Sequence, residues 1–344
     1  MLDEIRQQPA ALERTLQSEL AAAQKLRQVI EKRRPRCIVL AARGTSDNAA
    51  LFGRYLLELK TGIPVSLAAP SIITLYGREM DYRDCLVVAV SQSGESTDTN
   101  LVLESAKRQG AITVGVTNQL DSALATIPDH LIHVQAGREL SIAATKTYTG
   151  QLLTMYLLAW ALGGGIDIED LKGIPAQAAD ALEIEHQIQE CADRYRFMES
   201  TVVIGRGLNY ANAFEFALKL METCAVVAER FSSADFLHGP IALVEHQFPV
   251  FAFVPGGATW HTMREMIAKL RETTYEILLI TDKSNAEARE LSRRCITLPF
   301  AVQREELTPI PYIIPAQLFA VYLATEKGLD PDQPRGLTKV TRTL

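Results

Sequence analysis

Cysteine is sparse and unpaired in this chain. Five occur, at Cys37, Cys85, Cys191, Cys224 and Cys295, and no two form a C-x-x-C. The odd count and wide spacing exclude a disulfide framework, and several fall in apolar runs where a reduced, buried thiol is expected. An excess of basic charge is missing too. The formal net charge is -6, which argues against nucleic acid as the main partner, because a phosphate backbone demands a concentrated basic surface. The one basic run, Lys32 to Arg36, lies between a helical stretch and a strand and reads as a solvated helix end. Long hydrophobic runs are absent. The most apolar stretch, Leu152 to Leu162, is too short to cross a bilayer, so no membrane partner is expected. The opening residues carry acids early and no apolar signal core, so the expected location is the cytoplasm. Neither G-x-G-x-x-G nor a Walker lysine occurs, which favours a small phosphorylated metabolite over a nucleotide. The histidines offer no metal-ligand spacing that holds up, since His130-x-x-His133 alternates poorly on a strand, so no metal is expected. No other cofactor is expected either.

What is there is a regular alternation. Residues 1–32 show helical periodicity interrupted at Pro9. "CIVLAARGTSDNAALFGRYLLEL" then reads as strand, glycine-containing turn and helix. Short strands follow at "IPVSLAAP" and "LVVAV", a helix at "DTNLVLESAKRQG", and strands at "AITVGVTN" and "HLIHVQAG". A long apolar helix is expected from Ala143 to Leu162. Strands alternating with helices predict an α/β protein with a parallel sheet covered on both faces.

The order then repeats. "STVVIGRGLNYANAFEFALKLMET" copies the first strand-turn-helix, "FPVFAFVPGGATW" copies the "LVVAVSQSGEST" stretch, and "EILLITDK" copies "AITVGVTN". The two halves are joined near Gly163–Gly165 through an expected helix containing "ALEIEHQIQECADRY". The copies differ in chemistry. Ser91-Gln92-Ser93-Gly94-Glu95-Ser96 in the first half faces Val254-Pro255-Gly256-Gly257-Ala258-Thr259 in the second. A folding requirement should act on both halves; a function confined to one half need not.

In parallel α/β sheets ligands bind beyond the carboxyl ends of the strands. The stretch Ser91–Thr97 lies at such an end and opens a helix, whose first N–H groups favour an anion. Ser91, Ser93, Ser96 and Thr97 add hydroxyl donors and Gln92 an amide. One helix cap needs one hydroxyl rather than four, so the stretch reads as a phosphate cradle. Thr45 and Ser46, ending the first strand, could reach the same ligand or could cap their own helix.

The second half supplies candidate chemistry. Glu215, Lys219 and Glu222 recur at i, i+4, i+7 on an otherwise apolar helix, and buried carboxylates are costly unless paired or used. Either a structural lysine–glutamate pair or a proton-moving Glu222 accounts for them. His238 precedes Gly239-Pro240 and is either a turn residue or a proton carrier. The tail "LDPDQPRGLTKVTRTL" is not a helix, and Lys339 is either solvated or docked to form a Schiff base with a sugar carbonyl.

"RGTS", "SQSGESTDT", "ELSIAATK", "GRG", "EFALKLMET", "DFLHGPIALV" and "DQPRGLTK" together resemble the sugar isomerase (SIS) superfamily, and most closely the isomerase half of glucosamine-6-phosphate synthases. The resemblance implies N-terminal helices at 1–32, one SIS domain at 33–165, a second at 195–330, and an active-site tail at 331–344. It implies a homodimer with a phosphorylated amino sugar as ligand. Phosphate would be held by Ser91, Gln92, Ser93 and Ser96 with Thr45 and Ser46 nearby. Glu222 would shuttle a proton between C1 and C2, His238 from the neighbouring subunit would assist ring opening, Lys219 would position this machinery, and Lys339 would approach C2. Ile142 and Ala144 would contact the sugar, although Ala144 stands where the synthases carry a serine and Thr338 where they carry alanine. The chain begins without a glutaminase segment, which leads to the expectation of a SIS-type glucosamine-6-phosphate deaminase releasing fructose 6-phosphate and ammonia. A deglycase of a 6-phosphorylated amine–sugar adduct, or a sugar-phosphate sensor, is the alternative.

Overall fold

The computed structural model describes residues 1–339 of the chain. Its contacts divide it into two compact units. One comprises residues 8–139 and 146–175 with Thr338 and Lys339; the other comprises residues 1–7, 140–145 and 176–337. They are called here the loop unit and the triad unit.

The loop unit is built on a five-stranded parallel sheet. Its strands are β1 (Cys37–Ala41), β2 (Val65–Leu67), β3 (Cys85–Ser91), β4 (Ile112–Thr117) and β5 (His130–His133), in the order β2-β1-β3-β4-β5. The whole of β3 is buried, as its unbroken apolar run requires of a central strand covered on both faces. Register pairs Ala41 with Ala89 and Ser91 with Thr117, so the strand ends carrying the polar loops lie side by side at one edge. Val39, Val87, Ala89, Val102 and Leu103 form part of the core under the helix Thr97–Arg108. The helix Gln8–Lys32 begins one residue after Gln7, and Pro9 sits in its first turn, where its missing N–H has no intrahelical partner to lose. The expected apolar helix spans Lys146–Ala161, three residues shorter at its start.

The triad unit repeats the plan. Its strands are β6 (Ser200–Gly205), β7 (Val227–Ser232), β8 (Val250–Phe253), β9 (Ile277–Asp282) and β10 (Arg294–Leu298), in the order β10-β9-β8-β6-β7, again all parallel. Thus β6, β8 and β9 stand where β1, β3 and β4 stand in the first sheet, as the internal repeat in the sequence implies. The expected joining helix is two helices, Ile174–Leu182 and Glu185–Asp193, with a turn at Glu183–Ile184. No glycine or proline marks that break. A further buried helix, Pro309–Glu326, carries Pro309 and Pro311 in its first turn and Pro315 inside it. It packs against the helix Tyr210–Cys224 through Phe216 and Phe319, whose rings meet edge-on at 5.8 Å.

Candidate active site

In the loop unit, Ser91 ends β3 and is itself buried. Its Oγ accepts from the Gly94 N–H at 3.1 Å, and Ser93 Oγ accepts from the Glu95 N–H at 3.3 Å. Gly94 has φ +69, and a Cβ there would stand 2.0 Å from Ser122 Oγ, so only glycine fits. The loop's carbonyls are tied down from outside. Gln92 O accepts from Asn118 N at 3.2 Å, and Gly94 O accepts from Leu124 N at 3.0 Å and Asn100 Nδ2 at 3.1 Å. With the carbonyls fixed this way, the loop's geometry is held by the end of β4, by the turn and short helix Ala123–Thr126 that follow it and, through Asn100, by its own helix.

Ser96 occupies the N-cap position of the helix Thr97–Arg108 but makes no side-chain cap bond; its hydroxyl meets Thr99 Oγ1 at 2.9 Å. The simple capping account of this serine therefore does not hold. Arg43, after β1, donates to Asp98 Oδ2 through Nη2 at 2.6 Å and through Nε at 3.1 Å, linking the first-strand turn to the start of the loop's helix. Thr45 and Ser46 open the helix Thr45–Thr61 after Gly44. Ser46 is buried and its Oγ accepts from Gln151 Nε2 at 2.9 Å.

The tail enters this unit at Lys339. Its Nζ lies 3.7 Å from Glu139 Oε2, and the Glu139 side chain is 0 % exposed. The same oxygen takes Gln92 Nε2 at 3.4 Å and the Thr147 hydroxyl, while Oε1 takes Thr147 N at 3.3 Å. Residues 340–344 lie outside the described residues.

In the triad unit, the helix Tyr210–Cys224 presents Glu215, Lys219 and Glu222 on one side. Lys219 Nζ is 2.5 Å from Glu222 Oε2 and 3.4 Å from Glu215 Oε1. Lys219 and Glu215 are 0 % exposed and Glu222 is 22 % exposed, so one of the two carboxylates reaches outward. Burial by itself would lower the Lys219 pKa, but the two carboxylates outweigh it and the value is raised. Thr308 Oγ1 accepts from Asn209 Nδ2, and Pro309 O accepts from Asn212 Nδ2, so the helix start is fixed to the start of Pro309–Glu326.

His238 caps the C-terminal end of the short helix Ser233–Leu237 and is exposed. Among the described residues no hydrogen bond or ion pair joins it to the Lys219 cluster. Ile142 donates its N–H to Asp332 O at 3.3 Å, and Ala144 is buried nearby in sequence. Ser141 Oγ donates to Asp332 Oδ1 at 2.5 Å, and the buried Glu4 carboxylate accepts from the N–H groups of Leu140 and Ser141. Glu4 and Asp332 thus brace this segment. Sequence reasoning assigned nothing to them or to Glu139, although Glu139 opens the quoted "ELSIAATK".

The duplicated loop after β8 is filled by the chain itself. Thr259 donates its N–H to Glu305 Oε2 at 3.1 Å and its hydroxyl to Glu305 Oε1 at 2.6 Å. A Cβ at Gly257 would lie 2.6 Å from Glu305 Oε2, so this glycine admits the carboxylate. An anionic group therefore sits on the second copy of the loop, as helix-start geometry favours, and it is intramolecular.

Two parallel five-stranded sheets of one topology, one with a hydroxyl-rich loop and the other with a carboxylate-filled loop, define a duplicated α/β protein. The SIS domain model matches twice, over residues 33–161 and 198–327, and the chain belongs to the SIS domain family. The isomerizing glutamine–fructose-6-phosphate aminotransferase of Pyrococcus horikoshii is 36% identical over 345 residues, covering 98% of this chain and 57% of that protein. The chain thus spans little more than half the length of such curated relatives. The solved C-terminal domain of glucosamine-fructose-6-phosphate aminotransferase from Francisella tularensis superposes with a TM-score of 0.86 at 30% identity, over 97% of this chain and 98% of that one. Glucosamine-6-phosphate deaminase from Thermotoga maritima shares the fold, with a TM-score of 0.80 at 20% identity over 99% of both chains.

Proposed function

We propose that this chain is a phosphosugar isomerase that converts glucosamine 6-phosphate to fructose 6-phosphate and ammonia. Ser91, Gln92, Ser93 and Ser96 grip the phosphate, with Thr45 and Ser46 beside them. Glu222 removes the proton from C2 of the open-chain amino aldose and delivers one to C1. The resulting C2 imine takes up water and expels ammonia, which leaves the ketose. Lys219 holds the Glu222 carboxylate, Lys339 approaches C2, and Ile142 and Ala144 border the sugar. His238 is exposed and serves ring opening in a neighbouring copy within a homodimer.

The observation that carries this reading is the Glu215–Lys219–Glu222 cluster. Burying a lysine and a glutamate costs several kcal/mol per ion before their attraction repays it, and a fold needing only helix packing would use apolar residues. Here the cost secures one partly exposed carboxylate at 2.5 Å from an ammonium. The names of the relatives, which combine fructose 6-phosphate with isomerisation and amino transfer, support the substrate class.

The test is turnover of glucosamine 6-phosphate by the native chain and by Glu222→Gln. The variant should lose turnover by a factor of about a hundred or more, the usual worth of a positioned acid–base group, while still binding inorganic phosphate. Undiminished turnover in the variant would remove Glu222 from the mechanism.

A further inference from the structure

Glu139 has no part in the chemistry described above, yet it lies where three parts of the loop unit meet. Its buried carboxylate touches the Gln92 amide of the loop, the first turn of the helix Lys146–Ala161 through Thr147, and the Lys339 amine of the tail. A helix start stabilises an anion at this place, so the contacts to Thr147 hold the carboxylate where it is. A carboxylate held in that way can in turn hold a long lysine, whose free side chain samples many rotamers.

We propose that Glu139 is a positioning residue that fixes the Lys339 amine next to Gln92 of the phosphate loop. This rests on the function proposed above, which gives Lys339 its part in the reaction. The mechanical consequence is specific. Residues 331–339 of the tail contain neither helix nor strand, and the ion pair with Glu139 supplies a fixed attachment at the residue the chemistry needs. Bringing a reacting amine to within an ångström or so of its productive place is worth large rate factors. Holding it from the residue that also touches Gln92 ties the amine's position to the loop that grips the substrate.

Glu139→Gln keeps the shape and an oxygen for Gln92 but removes the charge; Glu139→Asp keeps the charge and shortens its reach. Two measurements on the full chain separate the possibilities. In the first, kcat for glucosamine 6-phosphate should fall at least about tenfold in Glu139→Gln, recover in part in Glu139→Asp, and leave the affinity for inorganic phosphate within about twofold. In the second, trypsin should cleave after Lys339 several-fold faster in Glu139→Gln than in the native chain, with Glu139→Asp between them. Native kcat and native cleavage in Glu139→Gln would overturn the proposal. So would equal losses in both variants tracking a fall in melting temperature, which would reduce Glu139 to a structural role. If the native chain turns over no amino-sugar phosphate, the proposed function fails, and the cleavage rates still decide whether Glu139 holds Lys339.

Discussion

Replacing Lys219 with methionine isolates the energetics of the cluster on which the proposed mechanism rests. Lys219 Nζ stands 2.5 Å from one carboxylate and 3.4 Å from another, and neither Lys219 nor Glu215 is exposed. At an effective dielectric constant near 20 these separations correspond to attractions of about 7 and about 5 kcal/mol before desolvation is subtracted. Methionine fills a similar volume but leaves Glu215 buried with its cation gone. Breaking one side of a buried pair costs about 3–5 kcal/mol. Lys219→Met should therefore lower the stability read from urea unfolding by about that amount. Adding Glu215→Gln should return most of it, because the uncompensated buried charge is then removed. The raised Lys219 pKa adds a pH signature. A raised folded-state value means the contribution of Lys219 is whole below its ordinary value of 10.5 and is lost as the pH climbs through the folded value. The stability difference between native and Lys219→Met chains should hence be flat at neutral pH and shrink in strong alkali. A loss below about 1 kcal/mol at pH 7, with no recovery in the double variant, would refute the reasoning.

Two further predictions concern the loops. Gly94→Ala places a side chain on a residue at φ +69 and against Ser122, costing about 1–3 kcal/mol in backbone strain; calorimetry should show inorganic phosphate binding lost or sharply weakened, and native affinity would show that the loop does not hold the anion. Glu305→Ala removes the acceptor at the start of the helix Trp260–Leu270, so the urea midpoint should drop by an amount equivalent to about 0.5–2 kcal/mol, and an unchanged midpoint would show that this carboxylate does not cap the loop.

Much of the architecture was legible because it is written in local periodicity. The apolar run of β3 stopping at Ser91, and its copy stopping at Val254, mark two equivalent strands by pattern alone. The Glu215–Lys219–Glu222 spacing placed three charges on one helix face, which is where they meet. The break at Glu183–Ile184 was not legible, since neither residue is a helix breaker. Glu139, Asp332 and Glu305 were opaque for a different reason. Each is an ordinary acid by composition, and its partner lies far off in the sequence, as Asp332 does from Ser141 and Glu305 does from Thr259. The second loop illustrates the limit well: its lack of hydroxyls suggested a function confined to one half, but not that a carboxylate from the same chain would occupy the vacant copy.

The measurement that bears most directly on the central claim is a coupled assay with glucosamine 6-phosphate and no glutamine, following fructose 6-phosphate and ammonia together. The account predicts both products in equal amounts. Tight binding of the sugar phosphate with neither product formed would contradict it.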